Sequence, residues 1–116
     1  MELKTIPRNP PLNVRMLPKA SKELREIAIH IALDSNVAAD RVTENIVQRI
    51  EQLGEFPNRG RHAENEDLAL RGVRTIGVNR YLVFYQVTET EILVHHIRHS
   101  ARKEATWRDM SISHFI

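Results

Sequence analysis

The sequence contains no cysteine among its 116 residues. A disulfide bond, a thiol nucleophile and a zinc site built on thiolates are therefore excluded. A chain of this length can bury one hydrophobic core without disulfides or metals, and the lack of cysteine is compatible with a reducing compartment. We therefore expect a single cytoplasmic domain that needs no cofactor and no metal ion.

Long apolar runs and a strong excess of one charge are also missing. No stretch approaches the roughly 18 apolar residues of a membrane span, and the N-terminal residues MELKTIPRNPPLN hold no apolar core of a signal peptide. The formal net charge is only +2. The second half is nevertheless rich in arginine, so a local basic surface matters more than the net charge.

Hydrophobic periodicity in the first half predicts an arm, a strand and two helices. Residues 1–13 hold three of the five prolines and are expected to form an extended arm. A short strand is predicted over 14–17, and helices are predicted from Pro18 and over 37–53. Each helix carries an apolar stripe at the spacing of one helical face. The stripes are Leu24, Ile27, Ala28 and Ile31 in the first helix, and Val42, Ile46, Ile50 and Leu53 in the second.

The second half changes to the period of two that is typical of strands. Residues 54–69 are predicted to be a loop, whose acidic stretch lacks the ligand spacing of a calcium site. Three strands follow, over 73–78, 81–87 and 92–99. The last strand is apolar on both faces at its start, which predicts a central position. The sequence thus predicts an α+β two-layer sandwich in the order β-α-α-β-β-β, with a helical hairpin on one face of a mostly antiparallel sheet and the other face free.

Four segments, in this order and spacing, resemble the RelE/ParE toxins of type II toxin–antitoxin modules, and the ParE (plasmid stabilisation) branch most. They are RMLPKASKELREIAIHIA, FPNRGR, VRTIGVNRYLVFYQV and ILVHHIRHSAR, within residues 14–102. The resemblance implies a toxin domain over 14–110, a tail over 111–116, and a hetero-oligomer with a cognate antitoxin. The arm has no counterpart in compact members, and Ser100 stands where a glycine often follows the histidine.

The resemblance leaves three functions open. ParE-like toxins inhibit growth by poisoning DNA gyrase, RelE-like toxins cleave mRNA on the ribosome without a metal, and a relic would bind its antitoxin without being toxic. The middle strands lack the lysine cluster that a RelE-like nuclease uses, which favours the gyrase inhibitor. For that function the expected target-binding cations are Arg61, Arg74, Arg80, Arg98 and Arg102.

A metal-free nuclease would need an acid, a base and cations that stabilise the charged phosphorane. For this alternative the residue types predict a catalytic set of His99, Arg80, Arg102 and Tyr85. Arg74 and Arg80 lie near one predicted turn, which favours contact with an anion, although charges that solvate a sheet edge are the alternative. Likewise, one of the two tyrosines is expected to pack in the core.

Three histidines occur together in the last strand. Strand alternation predicts His95 with Ile97 and His99 on one face, and His96 with Arg98 on the other. Adjacent histidines on opposite faces would not share one metal ion. The alternative to catalysis is that these rings pack in the sheet and are hydrogen-bonded there.

Overall fold

A computed structural model describes residues 6–102 of the chain. The predicted end of the toxin domain and the tail over 111–116 lie outside the described residues. The elements are β1 (Asn13–Met16), α1 (Pro18–Ala32), α2 (Asn36–Gln52), β2 (Arg61–His62), α3 (Glu66–Leu70), β3 (Arg74–Val78), β4 (Tyr81–Val87), β5 (Glu91–His99) and a 3-10 turn (Ser100–Arg102). No helix in this part of the chain is long and apolar enough to span a membrane.

The strands form one five-stranded sheet in the order β1-β5-β4-β3-β2. β1 is parallel to β5, and all other neighbours are antiparallel. The predicted α+β sandwich is confirmed, and so is the position of the last strand inside the sheet. β4 begins and ends at the predicted residues.

The two helices pack as a hairpin on one face of the sheet. Pro18 occupies the first turn of α1, where its missing N–H is not needed. Ser35 caps α2, because its side chain accepts a hydrogen bond from the N–H of Ala38 at 3.1 Å. The predicted stripe of α2 faces the core, with Ile46, Ile50 and Leu53 at most 2% exposed. The stripe of α1 is only partly buried against the same core.

The N-terminal arm follows the end of α2. The N–H of Arg8 donates to the carbonyl of Glu55 at 2.7 Å, and that of Leu12 donates to the carbonyl of Gly54 at 2.9 Å. The side chain of Leu12 is buried in the core. A Cβ at Gly54 would lie 2.5 Å from the Leu12 carbonyl oxygen, so the close crossing requires glycine.

The far face of the sheet is not free, contrary to the prediction. The segment predicted as a loop over 54–69 contains β2 and all but the last residue of α3, and α3 covers the middle of that face. Asn65 starts α3 by accepting a hydrogen bond from the N–H of Leu68 at 3.0 Å. Leu68, Ala63 and Val73 then bury Phe84 in a second, smaller core. Two buried polar side chains, those of Gln86 and His95, also lie on this face.

β5 contains a bulge at His95, which changes the predicted faces of its histidines. Phe84 pairs with His96 and Tyr85 with Val94, so His95 lies outside the ladder. The extra residue shifts the alternation of everything that follows it. The prediction that His95 shares a face with Ile97 and His99 was therefore wrong: Ile97 packs with Ile92 and Val94 in the helix-side core.

Candidate functional site

The predicted site residues fall into two groups at opposite ends of the β3–β4 hairpin. Arg80 lies in the turn, and the N–H of Ser100 donates to its carbonyl at 2.8 Å, which brings the end of β5 beside it. Arg74 is not beside the turn, as the sequence suggested. It pairs with Tyr85 at the other end of β3, and Arg74 to Val78 alone spans roughly 13 Å of strand.

The group at the turn contains Arg80, His99 and the 3-10 turn that includes Arg102. Asn79 adopts a φ of 54°, the left-handed conformation that a two-residue hairpin needs. Arg80 follows it and is exposed. The ring of His99 meets the ring of Tyr81 edge-on, with centroids 5.3 Å apart. Its Nδ1 accepts a hydrogen bond from the N–H of Ala101 at 3.1 Å, so a neutral ring carries its proton on Nε2.

An open groove of about 320 Å³ joins this group to α1. His99 and Tyr81 line it from the sheet, and Glu26 and His30 line it from the helix. Glu23 and Arg98 also line the groove, which therefore combines two imidazoles, two carboxylates, a guanidinium and a phenol. Sequence reasoning missed His30, although its spacing of three from Ile27 places both on one side of α1.

Arg98 is bound within the protein by Glu23 of α1. The Glu23 carboxylate forms an ion pair with the Arg98 guanidinium, accepts a hydrogen bond from the N–H of Ile97 at 3.2 Å, and lies 3.1 Å from Nδ1 of His96. β1 ends before this part of β5, so Glu23 satisfies a backbone donor that no strand within residues 6–102 reaches. The role of Glu23 was not predicted, since the residue lies outside the apolar stripe of α1.

His95 is held on the far face. Its Nε2 lies 2.8 Å from Oε1 of Gln86, and the amide of Gln86 donates to the carbonyl of Arg71 at 2.8 Å. Both side chains are buried. Since Oε1 accepts, Nε2 of His95 carries the proton. This pair ties the middle of the sheet to the segment that follows α3.

The second group surrounds the segment that leads into β2. The hydroxyl of Tyr85 accepts a hydrogen bond from the N–H of Gly60 at 3.0 Å and donates one to the carbonyl of Pro57 at 2.8 Å. Arg74 donates to the carbonyl of Gly60 at 2.8 Å. Burial raises the pKa of Tyr85, against the smaller opposing effects of the Gly60 hydrogen bond and the Arg74 charge. Arg61 follows in β2 and is exposed.

Gly60 has no room for a side chain, which explains the glycine in the FPNRGR segment. A Cβ there would lie 2.6 Å from both the Tyr85 hydroxyl and the carbonyl oxygen of Thr75. Arg59, the preceding residue, lies over the ring of Phe56 at 4.3 Å and donates to Oε1 of Gln52 at 2.9 Å. The loop therefore holds Arg59 in a defined orientation.

Comparisons with known proteins agree with this fold. The family model described as "ParE toxin of type II toxin-antitoxin system, parDE" matches residues 14–104. A chain of the chromosomal ParDE toxin–antitoxin system from P. aeruginosa is 24% identical, with a TM-score of 0.65 over 76% of this chain and 95% of that chain. A chain of the RelBE2 toxin–antitoxin complex from Mycobacterium tuberculosis is 20% identical, with a TM-score of 0.59 over 77% and 98%.

No curated protein matches the sequence. At identities below 25%, the two solved structures establish the shared fold and nothing finer. The family match, in contrast, extends over most of the chain and includes both helices and strands β1 to β5. The chain therefore belongs to the ParE toxin family of type II toxin–antitoxin systems.

Proposed function

We propose that the protein inhibits growth by binding and poisoning DNA gyrase, and that a cognate antitoxin neutralises it in a hetero-oligomer. The family supports a toxin. The observation that favours binding over nuclease chemistry is that Tyr85, one of the predicted catalytic residues, is used inside the fold. The hydroxyl of Tyr85 is buried with both its hydrogen bonds made to backbone.

The surface that would meet gyrase is the turn group. Arg80 is exposed in the β3–β4 turn, and the end of β5 lies beside it. A cation on a tight turn is held at low entropic cost, because the backbone on both sides is fixed by the sheet. We assign Arg80 the main role in target binding. Arg102, which lies in the adjacent 3-10 turn, is the second predicted contact.

The antitoxin would cover the end of the helical hairpin. Ile29, Leu33 and Val37 are 66%, 79% and 75% exposed there, and they lie on either side of the turn between α1 and α2. Exposed apolar residues grouped in this way favour a partner surface. The two similar structures are both toxin–antitoxin systems. An antitoxin segment that folds on binding could bury all three side chains.

Ribosome-dependent mRNA cleavage is the second candidate, because one observation favours it. The groove between α1 and the end of β5 brings His30, Glu26 and Tyr81 to His99. Those groups include a possible acid and a possible base. A nuclease of this kind would use His99 in the transition state, whereas a gyrase inhibitor would use it only in binding.

Two assays with the purified protein distinguish the candidates. In a supercoiling assay with gyrase and relaxed plasmid, we expect inhibition and accumulation of cleaved DNA. In a translation reaction followed by primer extension, we expect intact mRNA. Ribosome-dependent cleavage that His99→Ala abolishes without loss of ribosome binding would overturn the gyrase proposal. Healthy growth during high-level expression of the protein without its partner would instead indicate an inactive relic.

Neutralisation is tested with the antitoxin encoded beside the toxin gene. We expect co-expression to restore growth and to yield a stable complex. Leu33→Glu should weaken that complex because it places a charge in the apolar contact. Leu70→Glu is the matched control, since Leu70 is 80% exposed but lies on α3, away from the helical hairpin. Equal loss of complex in both variants would contradict the proposed antitoxin surface.

A further inference from the structure

Two grooves flank the outer edge of β3 and share Gly77. The groove on the helix side has a volume of about 450 Å³. α2 lines it with a polar stripe at the spacing of one helical face: Asn45, Gln48, Arg49 and Gln52. Because no acidic side chain of residues 6–102 lines this groove, Arg49 makes it electropositive.

The groove on the far side has a volume of about 360 Å³ and carries two arginines. Arg59 and Arg61 line it, against one carboxylate, that of Glu64. Arg59 is already oriented by Gln52 and Phe56. The excess charge of this groove is therefore also positive, and it lies on the opposite face of β3 from Arg49.

The backbone of β3 is open between the two grooves. β2 pairs only with Arg74 and Thr75, and within residues 6–102 no strand continues beside Ile76–Val78 on that edge. In a two-residue hairpin the residues that flank the turn, here Val78 and Tyr81, exchange hydrogen bonds. Alternation then directs the N–H and C=O of Gly77 away from β4, toward the open edge.

Gly77 also leaves space for a side chain from a neighbouring strand. A Cβ built on Gly77 meets nothing within 4 Å. The side chains of Ile76 and Val78 face the helix-side core, so position 77 faces the far side. In a strand added to this edge, the residue opposite Gly77 would therefore point toward Arg59 and Arg61, and its immediate neighbours would point toward Arg49.

We propose that the outer edge of β3 binds an extended peptide segment with two consecutive acidic residues, which pairs with the backbone of Gly77 and places one carboxylate in each groove. The surface is distinct from the turn group and from the exposed end of the helical hairpin. It therefore goes beyond the proposed function, and it is present whatever the toxin inhibits.

The chemistry of the grooves favours a peptide over a nucleic acid. Sheet-edge backbone and side-chain amides recognise a peptide main chain, and arginine forks match carboxylates. Single-stranded nucleic acid is held by aromatic side chains on which bases stack. Neither groove is lined by an aromatic residue among the described part of the chain.

The test uses the full-length protein and three labelled probes. The first is the capped peptide Thr-Val-Glu-Glu-Val-Thr, and the second is Thr-Glu-Val-Glu-Val-Thr, which has the same composition but both acids on one face of a strand. The third is a single-stranded oligothymidylate. We expect the first peptide to bind about tenfold more tightly than the second, and to shift the amide resonance of Gly77. We expect the oligonucleotide to bind more weakly than either peptide.

Variants locate the contacts. Arg49→Ala and Arg61→Ala should each lower the affinity for the first peptide by about tenfold. This is the effect expected from the loss of one charge-assisted hydrogen bond. Arg41→Ala is the control, because Arg41 is exposed on α2 and lines neither groove. Gly77→Pro removes the outward N–H and should abolish binding, whereas Gly77→Ala keeps that donor. If Gly77→Pro does not fold, the two arginine variants still test whether the peptide binds in the grooves.

Three results would overturn the proposal. The first is equal affinity for the two peptides, because the grooves would then not distinguish consecutive acidic residues from acidic residues on one face of a strand. The second is tighter binding of the oligonucleotide. The third is peptide binding that Arg49→Ala and Arg61→Ala leave unchanged. None of these results depends on gyrase inhibition, so the edge site and the proposed function fail independently.

Discussion

The hydroxyl of Tyr85 accepts a hydrogen bond from the backbone of Gly60, across 25 positions of sequence. The same hydroxyl donates to Pro57, so one buried side chain fixes the segment that leads into β2. We expect Tyr85→Phe to lower the free energy of unfolding by about 1–3 kcal/mol, because it leaves backbone groups without a partner. Urea denaturation of the variant and the parent measures the difference.

Tyr81→Phe is the matched control for that substitution. Tyr81 is half-buried at the other end of β4 and contacts His99 through its ring. We expect this variant to unfold with nearly the parental free energy. An effect of Tyr85→Phe no larger than that of Tyr81→Phe would show that the hydroxyl does not hold the loop.

The raised pKa of Tyr85 predicts a loss of stability at high pH. Tyrosine in the unfolded chain ionises at the ordinary value of 10.0, while burial keeps Tyr85 protonated in the folded protein. The unfolded state thus binds fewer protons above that pH, so stability is complete below it and falls as the pH rises toward the folded pKa. We expect the free energy of unfolding to decline more steeply above pH 10 in the parent than in Tyr85→Phe.

The prediction concerns the difference between the stability curves of the two proteins, not the shape of either curve alone. Ultraviolet absorbance of the phenolate gives a second readout. Two tyrosines are present in the chain, and we expect one to ionise later than the other, with the late step absent in Tyr85→Phe. Parallel stability curves for the two proteins would contradict the prediction.

Local sequence patterns were sufficient to predict most of the fold, because most of the fold depends on contacts between residues that are neighbours in sequence. The stripe of α2 and the hairpin turn at Asn79 were both predicted from spacing and residue type. The missed α3 did carry a local signal, since Asn65 is a good cap and Leu68 follows at the right distance. The helix was not predicted because its acidic composition is typical of a solvated loop.

The candidate site was less predictable, because its partners are distant in sequence. After the bulge at His95, the residues of β5 that face the helices are the opposite of those that simple alternation predicts. A sequence pattern of period two cannot show where such a bulge lies. Arg98 was predicted to be a target-binding cation, and its spacing from Glu23 gives no sign of the ion pair between them. Its partner, Glu23, comes from α1 and is 75 positions away.

Glu23 and Glu26 provide a comparison on one helix. Glu23→Ala removes the acceptor of the Ile97 N–H and the ion pair with Arg98 in a site where the carboxylate is only 14% exposed. We expect a loss of about 1.5–3 kcal/mol in the free energy of unfolding. Glu26→Ala removes only an exposed pair with Lys22 at 3.9 Å and should cost less than about 0.5 kcal/mol. Thermal and urea denaturation of the two variants measure both values.

The prediction for Glu23 also covers the effect of ionic strength on the stability of the two variants. Exposed ion pairs are screened by salt and buried ones much less. The difference between the two variants should therefore persist at high ionic strength. A Glu23→Ala protein that unfolds like Glu26→Ala under both conditions would show that the contacts of Glu23 at the β5 edge contribute nothing to stability.

Arg80→Ala tests the role of the hairpin turn in toxicity. Arg80 is exposed, so its removal should change the free energy of unfolding by less than about 0.5 kcal/mol. If its charge meets an anionic target, growth inhibition should fall by tenfold or more, measured as the inducer concentration that halves the growth rate. Arg41→Ala is the control, because Arg41 is also an exposed arginine but lies on α2.

Arg74 is not a suitable substitute for Arg80 in that experiment. Its guanidinium donates to the carbonyl of Gly60, so Arg74→Ala would disturb the loop and lower stability, and a loss of toxicity would then have two causes. Arg80 makes its one described hydrogen bond to Ser100 through the backbone carbonyl, which alanine retains. Undiminished toxicity of a stably folded Arg80→Ala protein would mean that the target contacts the toxin elsewhere, and the groove at His99 would become the next site to test.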